Sequence, residues 1–500
     1  MKRQLIMITI LFGSVSTAAL AAREYSPPNV ILFIGDDISW NDFGCYGNAA
    51  ARTPRIDALA RAGMQFTNAY LTASSCSPSR CSIITGRYPH NLGKAAELHG
   101  PMSSHLPMFP TLLRQAGYYT LQSGKHHMPQ AEPRPGESKQ EPFEKQDAGR
   151  SADNTGGHAN WVRHVRERPR DRPFFFWFAA YDAHRLWDGD EQWDPPRYGP
   201  AHRPEDVVVP PFLADTPTTR RDLASYYNEV TRYDYYIGQV VDELRAQGEL
   251  ENTLILVMAD NGRPFPRAKT RLHDSGMKTA LVAHWPAGIT GNGIVCNSLV
   301  SSIDLAPTIL KLAEVEVPDT VQGVDLAPLL ADPRQEVRAY AFSEHNWHDY
   351  EAYGRSVRTR DTLYLINRRP QFGWIGPADS VRSPSHQELL KLRDAGGLQP
   401  AQADVLLSPR PAEELYHSAA DVHQLTNLVD DPNSSQQLDR LRQVMNRWQA
   451  ETGDTVPQQL SRDRYDRETG ERIIQDSEGF RGTTPGQERN ADRVDAPGPR

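Results

Sequence analysis

The chain is short of cysteine, of net positive charge and of long apolar runs, and each shortage removes a class of protein. Four cysteines in 500 residues, Cys45, Cys76, Cys81 and Cys296, are too few to build a disulfide scaffold. Lys and Arg number 55 against 63 Asp and Glu, giving a formal net charge of -8. A general nucleic-acid binder needs a basic face to neutralise phosphates, so no nucleic-acid partner is expected. The apolar stretch Leu5 to Gly13 falls short of the ~20 residues that span a bilayer, which argues against a retained membrane anchor. No internal repeat occurs at a solenoid period.

What is present describes a soluble, folded protein. With 38% apolar and 24% charged residues there is enough material for a real core, and the length exceeds one ordinary domain. Lys2 and Arg3, the following apolar stretch and Ala19-Leu20-Ala21 form a secretory signal pattern, so residues 1–21 are expected to be removed and the mature chain to be secreted or periplasmic. No cysteine stands at that cleavage site, so no lipid anchor is expected either.

Apolar runs at Asn29 to Ile34, Pro173 to Ala179, Thr253 to Ala259 and Thr279 to Trp285 have the length of strands buried on both faces. Between them, Pro54 to Ala62, Phe109 to Ala116, Arg220 to Gln247 and Ser302 to Ala313 carry helical periodicity. This alternation predicts an α/β fold with a mostly parallel central sheet flanked by helices. Beyond Ser343, Arg355 to Asn367 alternates like one antiparallel strand, Glu413 to Leu428 reads as a turn-rich strand region, and Gln436 to Gln449 as a helix with Leu438, Leu441, Met445 and Trp448 on one face. The expected division is a large domain over 22–345, a smaller α+β subdomain over 346–456, and a charged, solvated or partly disordered tail over 457–500.

Two pairs of oxygen-bearing side chains close strands of the large domain. Asp36-Asp37 follows the first buried run and Asp260-Asn261 follows the run ending at Ala259. Parallel strands direct their carboxyl ends at one crevice, so three carboxylates and an amide oxygen should meet there. Such hard oxygen ligands suit Ca²⁺ or Mg²⁺ better than zinc. The alternative is that each pair only forms a polar turn. In Ser75-Cys76-Ser77-Pro78-Ser79-Arg80, Pro78 fits a first helical turn and Gly86 its end. Cys76 then sits at a helix N-terminus that favours an anion, with Arg80 four residues on, above it on the same face. Taken alone, Cys76 is either an activated thiolate or an inert buried thiol.

Cys76-Ser77-Pro78-Ser79-Arg80 with Thr85-Gly86-Arg87 resembles the signature of the type I sulfatases, in which the cysteine is oxidised to formylglycine. Asp36-Asp37, Gly124-Lys125-His126-His127, Asp182-Ala183-His184 and Asp260-Asn261-Gly262 follow in that family's order, and the resemblance extends from about Asn29 to Asp454. Asp260 to Pro266 and Val207 to Leu223 point within it to the sulfamidases, the N-sulfoglucosamine sulfohydrolases. The resemblance implies an alkaline-phosphatase-like fold and one Ca²⁺ held by Asp36, Asp37, Asp260, Asn261 and the residue made from Cys76. Arg80 then steadies the hydrated aldehyde, a hydroxyl of which attacks sulfur. His184 acts as the acid toward the departing oxygen or nitrogen, and His127 as the base that regenerates the aldehyde. Lys125 and a further cation, Lys269 or Lys278, balance the sulfate.

A sulfated saccharide, from a glycosaminoglycan or an algal polysaccharide, is the implied substrate, and a formylglycine-generating enzyme the implied maturation partner. His90, His105 and Asp182 are the expected sugar-binding side chains, with His99, His273, His345, Trp187 and Trp193 on further loops. Two other readings compete: a phosphatase or phosphodiesterase of the same superfamily, which would normally use Ser or Thr and more histidine ligands, and a protein that binds sulfated glycans without chemistry.

Overall fold

The computed structural model describes residues 27–136, 138–187 and 190–500. The expected signal peptide over 1–21 lies outside the described residues. Among these, no helix is long and apolar enough to cross a membrane.

Eight strands form the central sheet: β1 (Asn29–Gly35), β2 (Met64–Tyr70), β3 (Tyr119–Gly124), β4 (Lys145–Asp147), β5 (Phe174–Ala179), β6 (Thr253–Ala259), β7 (Lys278–His284) and β8 (Ile294–Ser301). Their order is β4-β3-β5-β1-β6-β7-β2-β8. All run parallel except β7, which is antiparallel to both its neighbours, β6 and β2. Side chains of a strand alternate between the two faces, which explains why β1 is apolar without interruption. Val30, Leu32 and Ile34 enter one core, while Ile31 and Phe33 enter the other, beneath the 30-residue helix Pro217–Ala246. That helix starts where the Thr216 hydroxyl accepts the Thr219 amide and a proline follows.

Register brings the strand ends level. Gly35 pairs with Ala259, Ile34 with Ala179 and Gly124 with Ala179. The residues that follow β1, β3, β5 and β6 therefore emerge side by side along one edge. Because β7 is reversed, the loop preceding it, which carries Lys269, reaches that same edge.

A second sheet, antiparallel, has the order β12-β11-β10-β9, from Glu413–His417, Thr362–Asn367, Gly354–Arg358 and Ala341–His345. The helix Ser435–Thr452 covers it with the four predicted residues, Trp448 stacking on Phe342 at 4.7 Å. Arg355 to Asn367, expected as one strand, is instead the hairpin β10–β11. Its turn forms where the Thr359 amide donates to the Thr362 carbonyl, 2.9 Å away. The tail over 457–500 is likewise not a solvated extension. Phe480 stacks on Trp347 at 4.6 Å and is buried, as are Ser461 and Ala491. The buried Arg87 guanidinium donates to the Val494 carbonyl and to Asp495, both at 2.9 Å. Single anchors of this kind carry no periodicity, so composition alone reads as solvated.

Candidate active site

Cys76 opens the helix Cys76–Thr85, whose ten residues are all buried. Ser75 precedes it in extended conformation and Gly86 closes it in the left-handed region, at φ 69, its amide donating to the Ser82 carbonyl at 2.8 Å. A helix this polar tolerates burial because most of its polar side chains find hydrogen-bond partners, the Ser79 hydroxyl and one Arg80 nitrogen excepted. The Ser82 hydroxyl donates to the Arg87 carbonyl at 2.6 Å, Thr85 to the Cys81 carbonyl at 2.7 Å, and Ser77 accepts the His99 amide at 2.8 Å.

The strand ends supply the acids. Asp36, Asp37 and Asp260 are fully buried, and the Cys76 sulfur lies 3.8 Å from Asp36 Oδ1 and 4.0 Å from Asp37 Oδ1. Asn261 donates to Asp37 at 2.5 Å, which leaves its Oδ1 buried without a partner. The bases interleave with them. Arg80 Nε donates to Asp260 at 2.7 Å and Nη1 to the Lys125 carbonyl at 2.9 Å, while Nη2 is buried and unmatched. The Lys125 ammonium donates to Asp36 Oδ2, and the Lys269 ammonium sits 2.7 Å from Asp37 Oδ1.

Charges packed this closely govern protonation. Burial opposes ionisation of Asp36, yet Lys125, His184, Arg80 and Lys269 hold its carboxyl well below the usual range. Burial prevails at Asp260, raised to about 6 despite Arg80, with Asp36 and Asp37 beside it. Burial also pushes the Cys76 thiol up to about 12, so the surrounding side chains do not make a thiolate there. Burial works against Lys125 and Lys269 as ammonium ions, but Asp36 and Asp37 keep both charged.

Three acids and an orphaned amide oxygen, all buried, form the donor set a hard divalent cation requires. Asp36, Asp37, Asp260 and Asn261 therefore fit Ca²⁺, and few groups other than a cation or a hydroxyl could satisfy the Asn261 oxygen.

His184 and His127 flank this centre. His184 Nδ1 bonds the Arg185 carbonyl at 2.5 Å and must carry a proton, leaving Nε2 for exchange. His127 Nε2 pairs with His99 Nδ1 at 2.7 Å, and its Nδ1 is buried without a partner. Burial, and then Lys125, push His127 down to about 2, so it is neutral near neutrality. A cavity of about 350 Å³ opens beside Asp36, Lys125 and His184, bordered by Arg150, Tyr181 and Leu186.

Several expected residues stand elsewhere. Lys278, the first residue of β7 and paired with Tyr70, lies 4.1 Å over the Trp40 ring in a different groove, beside Asp274 and Arg358. His90 does not line the crevice. It is buried with Nδ1 on Glu344 at 2.7 Å and Nε2 on Thr452 at 3.0 Å, where it ties the segment after the Cys76 helix to β9 and to the end of the helix Ser435–Thr452. His105 faces the tail, its Nε2 3.0 Å from the Asp492 carbonyl. Asp182 borders the cavity, but Arg232 takes both carboxylate oxygens at 2.7 Å and His158 adds a contact at 2.9 Å. Its role is to hold the loop, whose backbone exchanges hydrogen bonds with Asp36 at 2.8 and 2.6 Å. His273 and His345 are buried against Trp374. Sequence reasoning missed Asp379, whose Oδ2 lies 3.8 Å from His184 Nε2, and His348, whose Nδ1 lies 2.6 Å from the Ser75 hydroxyl. Asp379 sits in the one-turn helix Ala378–Val381 and His348 in a loop, both in the C-terminal part and without periodicity or a neighbouring motif to mark them.

Comparison with known proteins agrees with this geometry. Residues 28–315 match the family described as Sulfatase, and residues 267–366 the domain described as N-sulphoglucosamine sulphohydrolase, C-terminal. Human N-sulphoglucosamine sulphohydrolase is 33% identical over 473 residues, covering 86% of this chain and 91% of the relative. An ulvan-active sulfatase of Formosa agariphila is 28% identical, covering 85% and 75%. Among solved structures, a protein in complex with its substrate D-glucosamine-2-N, 6-O-disulfate superposes with TM-score 0.61 at 19% identity, covering 85% of this chain and 98% of that one. A 2-O glycosaminoglycan sulfatase gives TM-score 0.63 at 19% identity, covering 85% and 92%. The chain belongs to the sulfatase family and is a sulfuric ester hydrolase with a sulfamidase-type C-terminal region.

Proposed function

We propose that this enzyme removes sulfate from a carbohydrate, N-sulfated glucosamine first among the candidates, using formylglycine made from Cys76 beside a calcium ion. The carrying observation is the position of Cys76 at the start of a fully buried helix, within 4.0 Å of Asp36 and Asp37 and ringed by Arg80, Lys125 and Lys269. The substrate class is supported by the 33% identity to a sulphoglucosamine sulphohydrolase, and a secreted or periplasmic location by the signal pattern over residues 1–21.

Formylglycine, once formed by a maturation enzyme, supplies a hydrated aldehyde as nucleophile, and calcium on Asp36, Asp37, Asp260 and Asn261 supplies a Lewis acid for sulfate oxygens. The chain's own residues do the rest. Lys125 and Lys269 bring two ammonium charges to the anion and are held in place by the carboxylates they neutralise. Arg80 Nη2, unmatched and buried, offers a donor at residue 76. His184 delivers a proton from Nε2 to the departing atom, since its Nδ1 proton is committed to the Arg185 carbonyl. His127, neutral and with Nδ1 unpartnered, is placed to accept one.

Mass spectrometry of the peptide containing Cys76, after expression beside a formylglycine-generating enzyme, tests the reading. An aldehyde in place of the thiol is expected. Fully active enzyme containing only unmodified Cys76 overturns it.

A further inference from the structure

Two carboxylates flank His184 Nε2 among the described residues, Asp37 Oδ2 at 4.0 Å and Asp379 Oδ2 at 3.8 Å. They are not equivalent. Asp37 is tied to Lys269 and Asn261 and belongs to the donor set for the cation. Asp379 Oδ1 accepts the Ser380 amide at 2.7 Å, but its Oδ2 accepts no hydrogen bond from any described residue. The 3.8 Å gap to the imidazole exceeds hydrogen-bond range, so this oxygen retains its full capacity for a partner.

The position of Asp379 is built rather than incidental. The preceding Ala378 amide donates to Asp349 at 3.0 Å, and Ala378 and Val381 pack with Tyr350 and Ile375 in a small buried cluster. Tyr350 donates to the Asp466 carbonyl at 3.1 Å and Arg382 to the Gly470 carbonyl at 2.5 Å. The tail thus braces, from behind, the segment that presents Asp379. With its side chain 23% exposed, Asp379 stands on the wall of the crevice and not in the core.

The atom that leaves sulfur must depart beside His184 Nε2, and therefore beside Asp379. In a sulfamate the nitrogen lone pair takes the His184 proton before the S–N bond breaks, so that the nitrogen is positively charged beside Asp379; the bonding pair then stays on nitrogen, the amine leaves neutral, and a further proton from water makes it an ammonium ion. When an S–O bond breaks, the oxygen carries negative charge until the proton arrives and ends as a neutral hydroxyl. A fixed carboxylate attracts the first leaving group and repels the second. We infer that Asp379 is a specificity-determining residue that selects N-sulfated over O-sulfated substrates by pairing with the departing amine as it becomes ammonium. This rests on the reading of the site as a sulfatase that acts on an amino sugar.

The test compares wild type with Asp379→Asn and Asp379→Glu on N-sulfoglucosamine, N-acetylglucosamine 6-O-sulfate and an aryl sulfate. A second readout is calorimetric binding of glucosamine against glucose at a pH where glucosamine is charged. Asp379→Asn is expected to lose about 10- to 100-fold in kcat/KM on the N-sulfate, the usual worth of a charge-assisted hydrogen bond. Turnover of both O-sulfates should hold or rise, and the preference for glucosamine over glucose should vanish. Asp379→Glu should recover part of both. Should the Asn variant lose its melting transition, Asp379→Ser takes its place in the same comparison. Equal losses on all three substrates, or an unchanged preference for glucosamine, overturn the inference and leave the amino-sugar reading intact. A wild type that cleaves only O-sulfates overturns both, while the assignment as a sulfatase stands.

Discussion

Replacing Lys269 and Lys278 in turn separates two cations that the sequence leaves indistinguishable. Lys269 is 1% exposed in its side chain and 2.7 Å from Asp37. An ammonium at about 4 Å from a sulfate charge interacts by about 4 kcal/mol at an effective dielectric near 20. Lys269→Met, which keeps the unbranched stem and removes the charge, should therefore lower kcat/KM by about 10³-fold. It also leaves the buried Asp37 without its ammonium, and breaking a buried pair costs about 3–5 kcal/mol, so the melting temperature should drop as well. Lys278 contributes a cation–π contact with Trp40 worth about 0.5–1 kcal/mol. Lys278→Met should lose that stability and keep near wild-type turnover per folded molecule. Steady-state kinetics with the matching substrate and thermal denaturation of both variants decide the matter. Inactivation by Lys278→Met, or full activity in Lys269→Met, refutes the placement of the sulfate among Lys125, Lys269 and Arg80.

Two further outcomes follow from the same geometry. Chelation should abolish turnover and Ca²⁺ should restore it better than Zn²⁺, because Asp36, Asp37, Asp260 and Asn261 offer only oxygen; Asp260→Ala that stays fully active after chelation removes the site's role. The stability that His202 and His386 contribute should fall on acidification below neutrality, since burial pushes His202 down to about 3 and His386 to about 4, against about 6.5 in an unfolded chain, while the buried Asp234 and Glu97, raised to about 8 and about 7, act in the opposite sense. At the two histidines the unfolded state then binds more protons, so each histidine's contribution is complete above about pH 6.5 and is lost as the pH falls toward its folded value, at up to about 1.4 kcal/mol per pH unit. His202→Gln, keeping a partner for the Thr231 hydroxyl now 2.8 Å from His202 Nε2, should flatten the slope of melting temperature between pH 4 and 6; an unchanged slope rules this linkage out.

What the sequence disclosed, and what it withheld, divides along the range of the interactions involved. A strand buried on both faces must be apolar throughout, and a chain leaving it must turn at once, so Asp36-Asp37 and Asp260-Asn261 announce themselves beside β1 and β6. The helix Cys76–Thr85 is equally local, since Pro78 and Gly86 mark its two ends in the sequence. Register then aligns pairs more than two hundred residues apart, because level strand ends are a property of the sheet and not of either segment.

Lys269 against Lys278 could not be settled in this way. Lys278 stands nine positions after Lys269, at the start of a strand that runs antiparallel to both its neighbours, and apolar content does not encode direction. Asp379 and the tail were hidden for a related reason. Their positions depend on single contacts, the Ala378 amide on Asp349, Phe480 on Trp347, Arg87 on Val494, and an isolated anchor leaves no period to read. His90 shows the converse error: a histidine in a loop reads as a sugar-binding side chain of the crevice, yet the approach of β9 and the helix Ser435–Thr452 buries it between Glu344 and Thr452. Local chemistry thus reports the nucleophile and the acids, which are the parts any member of the family needs. Asp379, the residue proposed to select among sulfates, comes from the segment between two strands of the second sheet, where only the folded chain places it.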